Sequence, residues 1–471
     1  MTHTKNFING EFVDAPASYE NIDPSTGQSL GTVARSTSAE IDQAVSAART
    51  AQKAWSLTAP EERSLLLTRY ADLILGSQEE LARMESEDTG KPLSQARADA
   101  AICARYFRFY GHAIDSYYGI TIPLQADMHV YTRHEAFGVT GHVLAWNYPM
   151  QLFARAVAPA IATGNCSVAK PADETPRTAV KLAELAVRAG IPQGVVNVVT
   201  GIGAEAGAAL SEHADIDHVG FVGSTEIGSV IAIAAAKNVV PAMLELGGKS
   251  AHVVFPDADL DASAFYAMKG ILANAGQTCS AGSRLLVHSS VYQEVVEKVA
   301  ANLGGASIGP GLADKDLGPL VSLKQQGRVR SMVDAADGEI VVGGGIPQGL
   351  GNGAFFEPTL IAGVDPASKI AQEEVFGPVL VAMPFDTEEE AITLANGTQY
   401  GLMSAIWTRD LSRAHRLSAD IHAGQIYVNA YGAGGGVELP FGGFKKSGYG
   451  REKGYEALDA YTETKTVIMK L

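Results

Sequence analysis

The sequence predicts an α/β fold with two doubly wound parallel-sheet domains and a small β ribbon, and three observations lead there. After Tyr131, short apolar strands alternate with helices, as at 138–145, 150–162 and 166–169, which is the pattern of a parallel sheet with crossover helices. The alternation resumes beyond Gly247, and a chain of 471 residues has room for two or three domains. Two segments, 120–135 and 462–470, alternate in strand fashion but stand apart from both runs. Residues 1–118 and 137–247 are therefore expected to form a first domain and 248–455 a second. Residues 119–136 and 456–471 are expected to form an oligomerisation ribbon, because strands at a chain end and between domains offer unpaired backbone groups to another subunit.

The elements follow in order. Phe7 and Ile8, then Asn9-Gly10, then Phe12 and Val13 predict an edge hairpin, since Asn-Gly favours the turn that matches strand twist. Over 38–110 the apolar residues fall at helical spacing, in Ile41, Ala44, Val45 and Ala48 and again in Leu65, Leu66, Tyr70, Leu73 and Ile74. A further helix takes Thr175 as N-cap and Pro176 as first helical residue, buries Leu182, Leu185 and Ala186, and closes at Gly190 and Pro192. Strands are predicted at 195–199, 218–222, 241–244 and 251–255, and helices at 291–302 and 387–395.

Bulk properties exclude several classes. A net charge of −16 and the absence of a Lys/Arg-rich run remove the footprint of a nucleic-acid binder. The first residues lack a basic stretch followed by an apolar core, and no apolar run nears the roughly 18 residues that span a bilayer, so no membrane partner is expected and the chain reads as cytoplasmic. Three scattered cysteines, Cys103, Cys166 and Cys279, suit a reducing compartment and support neither a disulfide framework nor a metal site.

Chemistry concentrates at few positions. Cys279 lies among small residues in Asn274-Ala-Gly-Gln-Thr-Cys-Ser-Ala-Gly-Ser-Arg284. Such a loop gives a thiolate access, although an isolated cysteine is more often a small hydrophobe. Asn147 follows a strand and precedes a helix, where its amide could hold an oxyanion or merely cap the helix. Glu245 ends a strand beside Gly247-Gly248, fit for a general base or for binding the turn's N–H groups. Lys170 and Asp173 end another strand, where they could hold nucleotide hydroxyls or simply face solvent. Gly201-Ile-Gly203-Ala-Glu-Ala-Gly207 lacks the spacing of the dinucleotide fingerprint.

Taken together, AWNYP at 145–149, KPAD at 170–173, FVGSTEIG at 221–228, ELGGKS at 245–250, GQTCSAGSR at 276–284, EEVFGPV at 373–379 and LPFGGFKKSGYGRE at 439–452 resemble the NAD(P)-dependent aldehyde dehydrogenase superfamily along nearly the whole chain. The resemblance implies that Cys279 attacks an aldehyde, that Asn147 and the Cys279 backbone N–H hold the oxyanion, and that Glu245 is the general base. Because acylating relatives typically lack that base, it implies hydrolysis to an acid over transfer to coenzyme A, and the intact trio argues against an idle structural relative. For the cofactor it implies Lys170 on the adenosine ribose, Gly223 and Ser224 at the pyrophosphate, Glu374 on the nicotinamide ribose with Phe376 beside it, and Trp146, Asp173, Gly203 and Leu246 around them. Asp173 stands where NAD-preferring members often carry Glu, so NAD is expected, with NADP open. A homodimer or homotetramer is expected.

Two departures bear on substrate. Arg155 stands where general members carry Trp and semialdehyde-oxidising members carry Arg, which suggests a carboxylate anchor; the alternative is a pair with a neighbouring acid. Ala273 replaces the second Arg such enzymes can provide. The loop 431–438, with Tyr431 and three consecutive glycines, suggests an open wall for bulky or aromatic aldehydes, with Tyr148 and Phe153 stacking opposite.

Overall fold

The computed structural model describes residues 2–432 and 436–471. Its first sheet has eight strands, in the order Gly448–Tyr449, Ala242–Glu245, His218–Val222, Val139–Val143, Cys166–Lys170, Val196–Val198, Asn6–Ile8 and Glu11–Val13. The strands from Ala242–Glu245 to Val196–Val198 run parallel. Val139–Val143 and Cys166–Lys170 lie inside this run, so they are buried on both faces, and the Thr140, His142 and Ser167 side chains within them meet one another by hydrogen bonds. The second sheet has seven strands, in the order Glu339–Val342, Thr359–Ala362, Val379–Phe385, Arg284–His288, Ala251–Val254, Met403–Trp407 and Gln425–Val428. All pairings but the first are parallel. Each sheet anchors its own apolar core, although Val437, Ala457 and Leu458 pack into the first core from segments the sequence assigns elsewhere.

Register decides where a site can form. Val143 pairs with Lys170 and Val222 with Glu245, so Asn147, Lys170, Ser224 and Glu245 all emerge at the carboxyl edge of the first sheet. In the second sheet Arg284 pairs with Ala251 and Val381. Cys279 and Glu374 precede those strands and therefore sit at its amino edge. The two edges face each other, which is the crevice where open α/β sheets bind ligands.

The hairpin forms as expected at the sheet edge, with Asn9 and Gly10 at φ 52° and 81°. The helix after Lys170 runs Arg177–Arg188, not from Pro176, and Thr175 does not cap it: the Thr175 hydroxyl is buried without a partner. The cap comes from another helix, because the Arg177 backbone N–H donates to Asp88 Oδ2 at 3.3 Å. A sheet of Thr2–Thr4, Ser29–Arg35 and Ala17–Ile22 forms where no strand was expected. The two outlying segments pair with each other, Met128–Ala136 antiparallel to Thr462–Lys470 over their whole length. Residues 120–122 fold back along the ribbon rather than extending it. Among the described residues no helix is long and apolar enough to cross a membrane.

Asp88 also accepts from Arg177 Nε at 2.6 Å and Asn21 Nδ2 at 2.8 Å while almost fully buried. Removing one partner of a buried ion pair strands the other. Asp88→Ala is expected to lower unfolding stability by about 3 kcal/mol, read as a lower urea midpoint at unchanged m-value.

Candidate active site

A cavity of about 570 Å³ occupies the crevice, and Trp146, Asn147, Tyr148, Arg155, Gly223, Ser224, Glu245, Leu246, Cys279, Glu374 and Phe376 all line it. Asn147 stands at the turn into the helix Pro149–Ala162. Its backbone carbonyl accepts from Asn274 Nδ2 at 2.7 Å, and its own Nδ2 donates to the Gln277 carbonyl at 3.1 Å. An amide nitrogen carries two hydrogens, so one remains to serve the cavity. The Cys279 loop is shaped by three left-handed residues in succession, Asn274 (φ 49°), Ala275 (φ 55°) and Gly276 (φ 69°). At Gly276 a Cβ would lie 2.0 Å from the Gly377 carbonyl oxygen, and at Gly248 one would lie 2.3 Å from that of Cys279. These two glycines let the backbone close around the sulfur.

Burial pushes the Cys279 thiol up to about 12, with Glu245, Glu374 and Glu452 adding to the rise and the Arg155 guanidinium opposing it. The Glu245 carboxyl is buried with both oxygens unpartnered. Burial, then repulsion by Glu452, holds its pKa well above the ordinary carboxylate range against Arg155, Arg451 and Lys453. Glu452 arrives because Gly448 pairs with Glu245 across the sheet edge and Glu452 exchanges backbone hydrogen bonds with Phe441. The sequence motif ended at Glu452 without signalling that this carboxylate would pair with Arg155 or that the next residue, Lys453, would line the cavity.

On the other side, Ser224 caps the helix Thr225–Asn238, accepting from Ile227 N at 3.3 Å. That helix start opens on the cavity and favours an anion. Glu374 Oε1 accepts from Gly248 N at 2.9 Å, and burial pushes this carboxyl up to about 7. Phe376, at φ 57°, meets the Trp146 ring edge to face at 5.2 Å. Gln325 and Arg328 also line this end and brace it, Gln325 Nε2 donating to the Phe376 carbonyl at 2.8 Å and Arg328 Nη2 to that of Glu374 at 3.0 Å. Both lie on the helix Leu323–Asp334, which carries no motif, and the sequence gave no signal for them. Lys170, Asp173 and Gly203 lie outside the cavity lining but together: Lys170 pairs with Asp173, whose Oδ2 accepts from Gly203 N at 3.3 Å.

Of the substrate candidates, Tyr431 and Phe153 lie off the cavity, and Arg155 lines it within an ion pair. Arg155 lines the cavity, but its guanidinium pairs with Glu452 and lies 4.7 Å over the Phe441 ring, so its charge is already answered. Tyr431 is buried behind the Cys279 loop, its hydroxyl donating to the Ser280 carbonyl at 2.5 Å and its ring against His252, and is not part of the cavity wall. Phe153 points into the first core and is fully buried, so it cannot stack on a ligand. Of the glycine run 434–436, residues 434 and 435 lie outside the described residues.

A thiol, an amide and a carboxyl around one cavity can add to a carbonyl, hold the resulting oxyanion and move a proton. The model of the aldehyde dehydrogenase family matches residues 12–467. The chain belongs to that family. Aldehyde dehydrogenase 1 of Tanacetum cinerariifolium is 43% identical over 98% of this chain and 94% of its own length. The Bacillus cereus aldehyde dehydrogenase, solved as an NAD+ complex, superposes with a TM-score of 0.97 at 40% identity, over 100% of this chain and 97% of that one. The indole-3-acetaldehyde dehydrogenase AldA of P. syringae, solved with NAD+ and IAA, gives 0.97 at 40% identity, over 99% and 96%. The two-sheet architecture is thus the aldehyde dehydrogenase fold.

Because the thiol sits near 12 without ligands, only its thiolate fraction reacts with an alkylating agent. The rate of Cys279 alkylation by iodoacetamide, followed by mass spectrometry, is expected to climb about tenfold per pH unit from 7 to 10. A plateau below pH 9 contradicts this.

Proposed function

We propose that the chain oxidises aldehydes to carboxylic acids with NAD through a covalent intermediate on Cys279. The observation that carries the reading is the convergence of Cys279, Asn147 and Glu245 on one cavity, with Asn147 tied to the Cys279 loop at both its backbone and its side chain. Glu245 takes the Cys279 thiol proton and passes it to solvent; the thiolate adds to the carbonyl carbon, and the displaced electron pair settles on oxygen, held by the spare N–H of Asn147 and the Cys279 backbone N–H. When bound, NAD supplies the two-electron acceptor that turns this adduct into a thioester. Glu245 then takes a proton from water as its oxygen attacks the thioester carbon, the C–S bond breaks, and Cys279 leaves as thiolate.

The residues fit the cofactor. The helix start at Ser224 suits a pyrophosphate, Glu374 keeps one carboxylate oxygen for ribose hydroxyls, and Trp146, Leu246 and Phe376 supply apolar walls. Lys170, with Gly203 behind it, suits the adenosine ribose, and the Asp173 carboxylate disfavours a 2′-phosphate, which supports NAD over NADP. Glu245 also favours hydrolysis over transfer to coenzyme A.

For the aldehyde we propose an aromatic or bulky apolar body. Tyr106, Tyr148 and Phe441 wall the inner end, while the Arg155 charge is engaged by Glu452. We further propose a homodimer or homotetramer: Ile468 on the ribbon is 62% exposed, and Ile227, Val230 and Ile233 form an exposed apolar stripe on the helix Thr225–Asn238. Free thiols fit a reducing compartment, and we assign the chain to the cytoplasm.

Cys279→Ala is expected to abolish NADH formation while leaving NAD affinity unchanged; persistent turnover would sink the mechanism. Glu245→Gln is expected to retain a burst of up to one NADH per site and to lose steady-state rate about 10²- to 10⁴-fold. For substrate class, aromatic aldehydes are expected to exceed carboxylated aldehydes of equal length in kcat/KM. Arg155→Leu is expected to cause no selective loss on the carboxylated ones.

A further inference from the structure

Beneath the cavity lies a buried ionic cluster with no motif of its own. Lys91 Nζ donates to Glu85 Oε1 at 2.9 Å and to Asp99 Oδ2 at 2.5 Å, and all three side chains are almost wholly buried. The cluster grips the residues that follow Asn147. Met150 N donates to Glu85 Oε2 at 3.2 Å, Gln151 Nε2 donates to Asp99 Oδ1 at 2.6 Å, and Lys91 Nζ stands 4.2 Å over the Tyr148 ring. The helix Pro149–Ala162 has no side-chain cap of its own and Pro149 has no N–H. Glu85 therefore serves as its cap from another helix.

The same support reaches the nucleophile loop. Gln95, one turn before Asp99 on the helix Leu93–Ala113, accepts from Asn274 N at 3.0 Å. Residues four apart share a helix face, so one face of this helix holds the Asn147 turn through Asp99 and the Cys279 loop through Gln95. Asn274 closes the circuit by donating to the Asn147 carbonyl.

We propose that Glu85, Lys91, Gln95 and Asp99 are positioning residues that fix the Asn147 amide relative to the Cys279 sulfur. None of the four lines the cavity, so they act through Asn147 and Asn274. Buried charge is costly and specifies a single geometry only when every member is satisfied, and this cluster spends its bonds on the two segments whose separation sets the oxyanion site. Displacement of a reacting group by 1 Å costs on the order of 10²-fold in rate.

The proposal rests on the oxyanion role given to Asn147, and two measurements separate the claims. In steady-state kinetics of the full chain, Gln95→Ala and Asp99→Asn are each expected to lower kcat about 10- to 100-fold, with aldehyde KM and NAD affinity within about threefold. In an Asn147→Ala background the same substitutions are expected to cost less than about threefold more, because the group they position is gone. Full multiplication of the losses, or an effect confined to KM, overturns the positioning role. Independently of turnover, hydrogen exchange by mass spectrometry on Gln95→Ala is expected to quicken about tenfold in peptides covering 147–152 and 274–280 together. Unchanged exchange there overturns the linkage even if the enzyme is active. If wild-type protein oxidises no aldehyde but the exchange still couples, the functional reading fails and the linkage stands. Lys91→Met, which removes the cation outright, is the severe variant; Gln95→Ala carries the test if it does not fold.

Discussion

Asn274 Nδ2 donates to the Asn147 carbonyl at 2.7 Å while Asn147 Nδ2 donates to the Gln277 carbonyl at 3.1 Å. These two bonds pin the carboxyl edge of one sheet to the loop at the amino edge of the other. Together with the bond from Asn274 N to Gln95 Oε1, they fix the amide relative to the loop that carries the sulfur. The left-handed run 274–276 exists to deliver them: a regular turn would aim the Asn274 side chain elsewhere, and positive φ at two non-glycine residues is tolerated only where neighbours over-determine the backbone. Gly248 and Gly276 then admit the close backbone approaches that the pinned geometry requires.

Much of this was legible in the sequence because it depends on short-range signals. A strand followed by Asn, Lys or Glu puts a polar group at a sheet edge, and a glycine-rich loop around a lone cysteine marks a close approach. What stayed hidden depends on partners far along the chain. Thr175 looked like a helix cap, but Asp88 on another helix does that work, and no local pattern reveals a cap supplied in trans. Arg155 was read as a substrate anchor because its partner, Glu452, reaches it only through the pairing of Gly448 with Glu245. Tyr431 follows a strand, like Asn147, yet emerges behind the nucleophile loop, and only the sheet order distinguishes the two. The outer strands Thr2–Thr4 and Ala17–Ile22 are mostly polar and exposed, so hydrophobic periodicity has little to register there.

The electrostatics of the inner end follow from burial more than from any single contact. Glu245 and Cys279 are both driven toward their proton-bearing forms by loss of water. A thiol held this way is protected from casual oxidation, which tracks thiolate character, and becomes a nucleophile only when a base or an added positive charge lowers the cost of the thiolate.

Arg155 and Glu452 modulate that cost from one place. Glu452 raises both Cys279 and Glu245, and Arg155 lowers both. Paired with each other, the two act on the sulfur in opposite senses, with Arg155 the stronger of the two. Neither can be removed without exposing the other: loss of Glu452 leaves an uncompensated guanidinium that stabilises both anions, and loss of Arg155 leaves a buried carboxylate that penalises both. The pair therefore moves the nucleophile and the base in the same direction. Arg155 thus lines the cavity and, through its charge, also bears on the proton affinity of Cys279 and Glu245.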